Sequence, residues 1–230
     1  MFFRRRFQSP EPPPGSEAYF DLQRERMVQI QLTGRNITDP RVIAAMGSVP
    51  RHRFVPISLR ESAYEDRPLD IGHRQTISQP YMVALMTQLL RLQPEDRVLE
   101  VGTGSGYQAA VLASIAQSVV SIERIDSIAN TAAAALHDLE YLNVEVRVGD
   151  GTLGWCDRAP YDAIVVTAGS PSVPSALNAQ LADGGRLVCP VGPREMQQLV
   201  RITREGTDLR EEVGIGCVFV PLIGDAGWSE

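Results

Sequence analysis

The most informative part of this sequence is Val98-Leu99-Glu100-Val101-Gly102-Thr103-Gly104-Ser105-Gly106-Tyr107. An apolar run ends in an acid and three alternate glycines, and an alanine-rich, helix-forming segment follows over residues 108–116. This order predicts a buried strand, a tight turn and a helix start, with glycines where the backbone turns sharply and comes close to a ligand. The dinucleotide fingerprint places glycines at positions one, three and six, whereas here they occupy one, three and five. The loop therefore predicts a cofactor site but disfavours a nicotinamide cofactor.

Beyond this loop, short apolar runs alternate with helical patterns. Strands are predicted at 119–122, 144–148, 162–167 and 186–191, with helices between most of them. A turn at Glu205-Gly206 and an apolar run at 218–222 predict closing antiparallel strands. We therefore predict an α/β fold: a Rossmann-like, doubly wound, mostly parallel sheet with an antiparallel C-terminal edge.

The N-terminal part predicts a helical extension. One helix is expected over 19–32, closed by Gly34, and a second over 40–46, capped by Asp39. Residues 57–75 are expected to be irregular. A third helix is expected from Pro80, with Ser78 as its N-cap.

Length and composition predict one domain. We expect a flexible, proline-rich tail over 1–16 and a single domain over 17–226, divided into a substrate-side helical region (17–80) and a cofactor-binding core (81–226). The basic start is followed by prolines rather than an apolar segment, which disfavours a secretory signal. Three widely spaced cysteines fit neither a disulfide framework nor a zinc site, so a cytoplasmic protein is expected.

The charged residues limit both the possible catalytic chemistry and the possible classes of binding partner. All 22 basic residues are arginine, which excludes catalytic lysine chemistry, and the net charge of −6 disfavours broad binding of nucleic acids. We expect no nucleic-acid partner, no membrane, no metal and a monomer.

Acidic residues recur where the predicted strands end. Glu100 precedes the glycine loop and is expected to orient it, and Glu123 follows the second strand, where a carboxylate can accept hydrogen bonds from ribose hydroxyls. Asp150-Gly151 and Thr167 end the next two strands. A single acid of this kind is usually a helix cap or a solvated loop residue, but the recurrence favours a cofactor site.

The glycine loop resembles the first motif of S-adenosylmethionine-dependent methyltransferases. A second motif, Gln75-Thr76-Ile77-Ser78-Gln79-Pro80-Tyr81, resembles the signature of the protein-L-isoaspartate O-methyltransferases. Further blocks resemble that family in the same order, so that the likeness covers about residues 19–224; they are 49–56, 63–66, 98–107, 149–151, 160–168 and 219–222.

This resemblance implies methyl transfer from S-adenosylmethionine to the free α-carboxylate of L-isoaspartyl residues in damaged proteins and peptides, which promotes succinimide formation and repair. It implies that Ser78 is the active-site residue and orients the carboxylate, aided by exposed N–H groups of the adjoining helix start. The expected substrate-binding residues are Thr76, Ile77, Gln79 and Val220. The expected cofactor-binding residues are Glu100, Gly102, Thr103, Gly104, Ser105, Gly106, Glu123, Asp150, Gly151 and Thr167.

The sequence departs from the family pattern at two positions near this motif. Asp70 replaces the usual proline and Arg74 the usual second glycine. We expect Arg74 to pair with Asp70 rather than with the substrate, and His73 to face solvent. Two alternatives stay open: a methyltransferase acting on another carboxylate or small molecule, and a non-catalytic module that binds carboxylates.

Overall fold

The computed structural model describes residues 11–229. Its strands are β1 Leu69–Gly72, β2 Gln75–Ile77, β3 Arg97–Val101, β4 Ser118–Glu123, β5 Val144–Val148, β6 Tyr161–Val166, β7 Leu181–Val191, β8 Gln197–Glu205 and β9 Asp208–Cys217. Its α-helices are α1 Glu17–Arg26, α2 Pro40–Ser48, α3 Pro80–Leu90, α4 Tyr107–Ala113, α5 Asp126–Asp138 and α6 Ser175–Ala179. Most of the predicted tail lies outside the described residues. Within them, no helix has both the length and the apolar character needed to cross a membrane.

Seven strands form one sheet in the order β5-β4-β3-β6-β7-β8-β9. The first five are parallel, and β8 and β9 are antiparallel, which confirms the predicted sheet and its C-terminal edge. The chain runs outward from β3 to β5 and then returns to β6 beside β3, so the direction of winding reverses between β3 and β6. In such sheets ligands bind outside the carboxyl ends of the strands at this point.

Helices cover the sheet on both faces, which explains the near-continuous apolar runs of β3 and β6. Val98 and Ala163 belong to the core shared with the helices α1–α4. Leu99 and Ile164 belong to a second core on the opposite face, which includes Leu177 of α6. The strand β3, which leads into the glycine loop, is therefore held between two packed layers.

The N-terminal helices differ in detail from the prediction. The first runs as α1 and continues as a π-helix over Met27–Leu32. The left-handed residue that ends this region is Asn36, with φ 65°, so the prediction of Gly34 as the closing residue was wrong. Asparagine tolerates this conformation because its side chain bonds locally. The second helix is confirmed, with Asp39 as its N-cap.

The expectation of irregular structure over 57–75 was wrong at its C-terminal end. The strands β1 and β2 form an antiparallel hairpin in which Leu69 pairs with Ile77. The turn places His73 and Arg74 in the left-handed region, with φ of 52° and 57°. Histidine and arginine are not the residue types that mark a hairpin turn, and the two strands are short. The sequence pattern therefore does not indicate this hairpin. The hairpin carries Thr76 to the glycine loop.

The prediction of an antiparallel strand over 218–222 was also wrong. The segment instead makes one parallel bridge, between Pro221 and Gly169. Gly169 N donates to Val220 O and Leu222 N donates to Gly169 O, each at 2.8 Å. The ladder of β9 ends where Cys217 pairs with Gln197, the first residue of β8, so the segment 218–222 extends past the end of that neighbouring strand. It crosses the carboxyl end of the sheet instead.

Candidate active site

The glycine loop joins β3 to α4 through three left-handed residues. Gly102, Gly104 and Gly106 have φ of 98°, 52° and 87°. A Cβ on Gly102 would lie 2.4 Å from Thr167 Oγ1, which is closer than side chains pack. Thr167 Oγ1 donates to Gly102 O at 2.6 Å and thereby ties the ends of β3 and β6 together. The first glycine is required by sterics as well as by backbone conformation.

Glu123 is nearly buried at the end of β4 and lines the pocket beside the glycine loop. Its carboxylate accepts from Gly104 N and from Ile125 N, both at 3.0 Å. Carboxylate oxygens have further lone pairs, so this group can still accept from a ligand's hydroxyls. The structure therefore places Glu123 where the sequence predicted it and adds a role in fixing the loop.

Glu100 lies behind the loop rather than in the pocket. It is fully buried, and Ser121 Oγ bonds Glu100 Oε2 at 2.5 Å and Thr103 Oγ1 at 2.6 Å. Burial raises the pKa of Glu100 to about 8, an effect that the Ser121 bond only partly offsets. The chain from Glu100 through Ser121 to Thr103 fits the expectation that Glu100 orients the loop.

The cofactor-side pocket brings together several residues predicted from the sequence. Gly102, Gly104, Glu123, Gly151 and Thr167 line it, and the segment 220–223 forms the opposite wall. Gly151 must lack a side chain here, because a Cβ would lie 2.5 Å from Val101 Cγ1.

Asp150 does not line this pocket. Its carboxylate accepts from Thr152 N at 2.8 Å, Thr152 Oγ1 at 2.7 Å and Asp225 N at 2.8 Å. Partial burial raises the pKa of Asp150, but the hydrogen bonds from Asp225 and Thr152 outweigh it and bring the pKa below its ordinary value. Asp150 therefore fastens the C-terminal segment across the sheet edge. No local pattern signals this contact, since Asp225 is remote along the chain.

A second cavity of about 470 Å³ adjoins the first. It is lined by Ser78, the expected active-site residue, and by three of the four expected substrate-binding residues, Thr76, Gln79 and Val220. The fourth, Ile77, is buried and borders a small void against the glycine loop that Thr103 and Ser105 also line. We call the 470 Å³ cavity the substrate groove. Thr76, Thr167 and Val220 line both it and the cofactor-side pocket, so the two share a wall.

Ser78 is not the N-cap of α3. The cap is Gln79, which makes no side-chain capping bond, and Pro80 takes the first helical position as predicted. The prediction of exposed N–H groups at this helix start was wrong as well. Tyr81 N donates to Asp66 Oδ1 at 3.1 Å, and Met82 N donates to Gln79 O. Because proline at the first position shifts the cap by one residue, Ser78 lies outside the helix and lines the groove.

The hairpin tip does not enter the groove. Asp70 Oδ1 accepts from Gly72 N at 2.6 Å, and among the described residues Asp70 and Arg74 form no ion pair, so that prediction was wrong. His73 is exposed, and its Nε2 lies 3.2 Å from Ser127 Oγ.

The groove is also lined by Arg35, Tyr81 and the stretch 215–219, which were not predicted from the sequence. They come from three distant parts of the chain, and only tertiary packing brings them together. The sequence carried no local signal for them.

Comparison with known proteins identifies the family of this chain. The family model described as protein-L-isoaspartate(D-aspartate) O-methyltransferase matches residues 22–227. The chain belongs to this family. A protein-L-isoaspartate O-methyltransferase of Trichlorobacter lovleyi is 57% identical over 212 residues, which cover 91% of this chain and 97% of the relative. One of Methanoregula boonei is 58% identical over 207 residues, with coverages of 90% and 95%.

Solved structures agree with this membership. A protein-L-isoaspartate O-methyltransferase with 31% identity superposes with a TM-score of 0.79 over 89% of this chain and 67% of that chain. A Plasmodium falciparum structure, described as a putative member in complex with S-adenosyl-L-homocysteine, has 25% identity and a TM-score of 0.75, over 87% of this chain and 98% of that chain. The Rossmann-like methyltransferase fold expected from the sequence is confirmed.

Proposed function

We propose that this protein transfers the methyl group of S-adenosylmethionine to the free α-carboxylate of L-isoaspartyl residues in damaged proteins and peptides. One observation carries the proposal: the pocket at the glycine loop and the groove at Ser78 share the wall of Thr76, Thr167 and Val220. A methyl donor on one side and an acceptor on the other can therefore meet. Membership of the family supplies the identity of the acceptor.

The cofactor-side residues fit a nucleoside with a charged amino-acid tail. Glu123 offers carboxylate lone pairs to ribose hydroxyls, and Gly102 and Gly104 leave the backbone uncovered for close approach. Gly151 and Thr167 also line this pocket. Thr103 and Ser105 border the neighbouring void, and Gly106 supplies the left-handed backbone at the end of the loop. Glu100 acts through Ser121 on Thr103, and Asp150 acts through the C-terminal segment. When bound, S-adenosylmethionine supplies a methyl group on a positively charged sulfur.

The reaction demands little acid or base chemistry from the protein. A carboxylate of ordinary pKa near 4 is already ionised at neutral pH, so its oxygen can form the new bond to the methyl carbon while the carbon–sulfur bond breaks. We assign Ser78 to orient that carboxylate by donating its hydroxyl hydrogen. Thr76, Gln79 and Val220 position the substrate backbone, and Ile77 supports the wall. Rate acceleration then comes mainly from alignment in a site partly shielded from water.

The methoxy group of the product ester leaves, as methanol, far more readily than an oxygen leaves from the free carboxylate. Attack by the following backbone nitrogen closes a succinimide and releases methanol, and hydrolysis of the ring returns part of the material to ordinary aspartate. We also propose that the protein works as a cytoplasmic monomer with protein and peptide substrates only. The acidic net charge supports the absence of a nucleic-acid substrate, and the three free cysteines support the cytoplasmic location.

The deciding experiment measures transfer of labelled methyl groups to paired peptides that differ only in Asp or L-isoAsp. Selective labelling of the L-isoAsp peptide is expected, and equal labelling of both, or of neither, would contradict the proposal. Calorimetry with S-adenosylmethionine separates a carboxylate-binding module from an enzyme, because the module has no need of the cofactor.

A further inference from the structure

The substrate groove contains one charged side chain. Among the described residues that line it, the others are apolar, hydroxyl, amide or thiol groups, and Arg35 alone carries a charge. This cation lies in a protein whose net charge is −6, so its field opposes that of the whole molecule.

Arg35 is held in place rather than free to swing. Its guanidinium carbon lies 3.6 Å from the centroid of the Tyr81 ring, and its Nη1 pairs with Asp66 Oδ2. The other oxygen of Asp66 accepts from Tyr81 N at 3.1 Å. Arg35 is thus fixed against the residue at the start of α3, three positions after Ser78. Little side-chain entropy is left to lose when a ligand binds.

The guanidinium keeps unused donors. Asp66 accepts from Nη1, and the described residues provide no hydrogen-bond acceptor for Nε or Nη2. The Arg35 side chain is 45% exposed and that of Asp66 is 22% exposed, so the more accessible member of the pair is the cation. A planar guanidinium with open donors is suited to a carboxylate.

We propose that Arg35 is a specificity-determining residue that favours L-isoaspartyl substrates bearing an acidic side chain, Asp or Glu, close to the damaged residue. This inference rests on the proposed function. Asp66 neutralises part of the charge, which limits the preference to the range of a partly exposed ion pair, about three- to fivefold in kcat/KM. The preference appears in KM rather than kcat, because the flanking carboxylate takes no part in methyl transfer.

The test uses acetylated, amidated peptides with one L-isoAsp and with Glu, Gln or Lys placed up to two residues before or after it. Capped ends ensure that the only added carboxylate is a side chain. For wild type we expect the ratio of kcat/KM for Glu over Gln to reach about three to five at one or more positions. Arg35→Gln brings this ratio to about one. Asp66→Asn raises it, because Asn can still accept from Tyr81 N but no longer neutralises Arg35.

Arg67→Gln is the matched control. Arg67 is an exposed arginine near the groove that pairs with Glu65 and does not line the cavity. Its replacement removes the same net charge and should leave the ratio at its wild-type value. A wild-type ratio near one at every position, a ratio that survives Arg35→Gln, or an equal loss in Arg67→Gln would overturn the inference. Failure of wild type to methylate any L-isoAsp peptide would instead overturn the proposed function.

Discussion

Replacing Gly102 by alanine tests the account of the glycine loop, because two separate costs meet at this residue. The backbone has φ 98°, which disfavours any side chain by roughly 1–2 kcal/mol. The new Cβ would also lie 2.4 Å from Thr167 Oγ1, so Thr167 must move and give up its hydrogen bonds to Gly102 O and Val101 O. These two contacts share the single hydroxyl hydrogen of Thr167 and together contribute about 1 kcal/mol, which brings the expected loss of stability to roughly 2–3 kcal/mol.

Gly184→Ala isolates the first of these costs. Gly184 has φ 71°, and no atom lies within 4 Å of the position that a Cβ would take, so only the backbone penalty of roughly 1–2 kcal/mol applies. Denaturant unfolding of both variants gives the two free energies directly. In the double variant Gly102→Ala/Thr167→Ala the clash is absent, and we expect its cost to fall about 1 kcal/mol below the sum of the costs of the single variants. Equal losses in the two glycine variants, or strict additivity in the double variant, would refute the steric argument.

Three other residues of the site and its supports give further predictions. Ser78→Ala should lower kcat/KM by about 10- to 100-fold, the range for a hydrogen bond to a charged group, with cofactor affinity by calorimetry nearly unchanged; an equal loss of both would contradict an orienting role. The raised pKa of Glu100 means that the folded state keeps a proton that the unfolded state releases, so stability should fall as the pH rises from about 4.5 to about 8, and Glu100→Gln should flatten this slope in unfolding experiments across that range. Asp150→Ala should speed amide exchange at Asp225 and in the neighbouring segment, whereas Asp183→Ala, which removes one acceptor from a surface turn, should leave that segment unchanged.

The sheet and the glycine loop could be predicted because their signals are local. Three alternate glycines after an apolar run leave few other backbone paths, and the strand-end acid Glu123 follows at a characteristic separation. The hairpin was missed because His73 and Arg74 adopt left-handed conformations that other residue types usually mark. Tertiary context overrode the local preference there.

The residues that distant segments bring to the site could be predicted less well than the glycine loop. The Asp150 carboxylate accepts from the remote Asp225 N, and Arg35 is held at the groove by contacts with Tyr81 and Asp66. Such pairings depend on how distant segments pack, and a single sequence contains no pattern that reports them. Residues of the Ser78 motif do line the groove, but the helix cap was predicted one residue too early, because Pro80 is the first helical residue and Gln79 is therefore the cap.

The bridge between Pro221 and Gly169 has a consequence for when the protein becomes competent during its synthesis. The cofactor-side pocket is lined from Gln75 on the hairpin to Ile223 beyond the last strand. A nascent chain that has already formed β3, β4 and β6 still lacks one wall of the pocket. Methyl-donor binding of full strength must therefore wait until the segment after β9 has left the ribosome and paired with Gly169. The cofactor-side pocket is therefore complete only after residues 220–223 have been synthesised and folded into place.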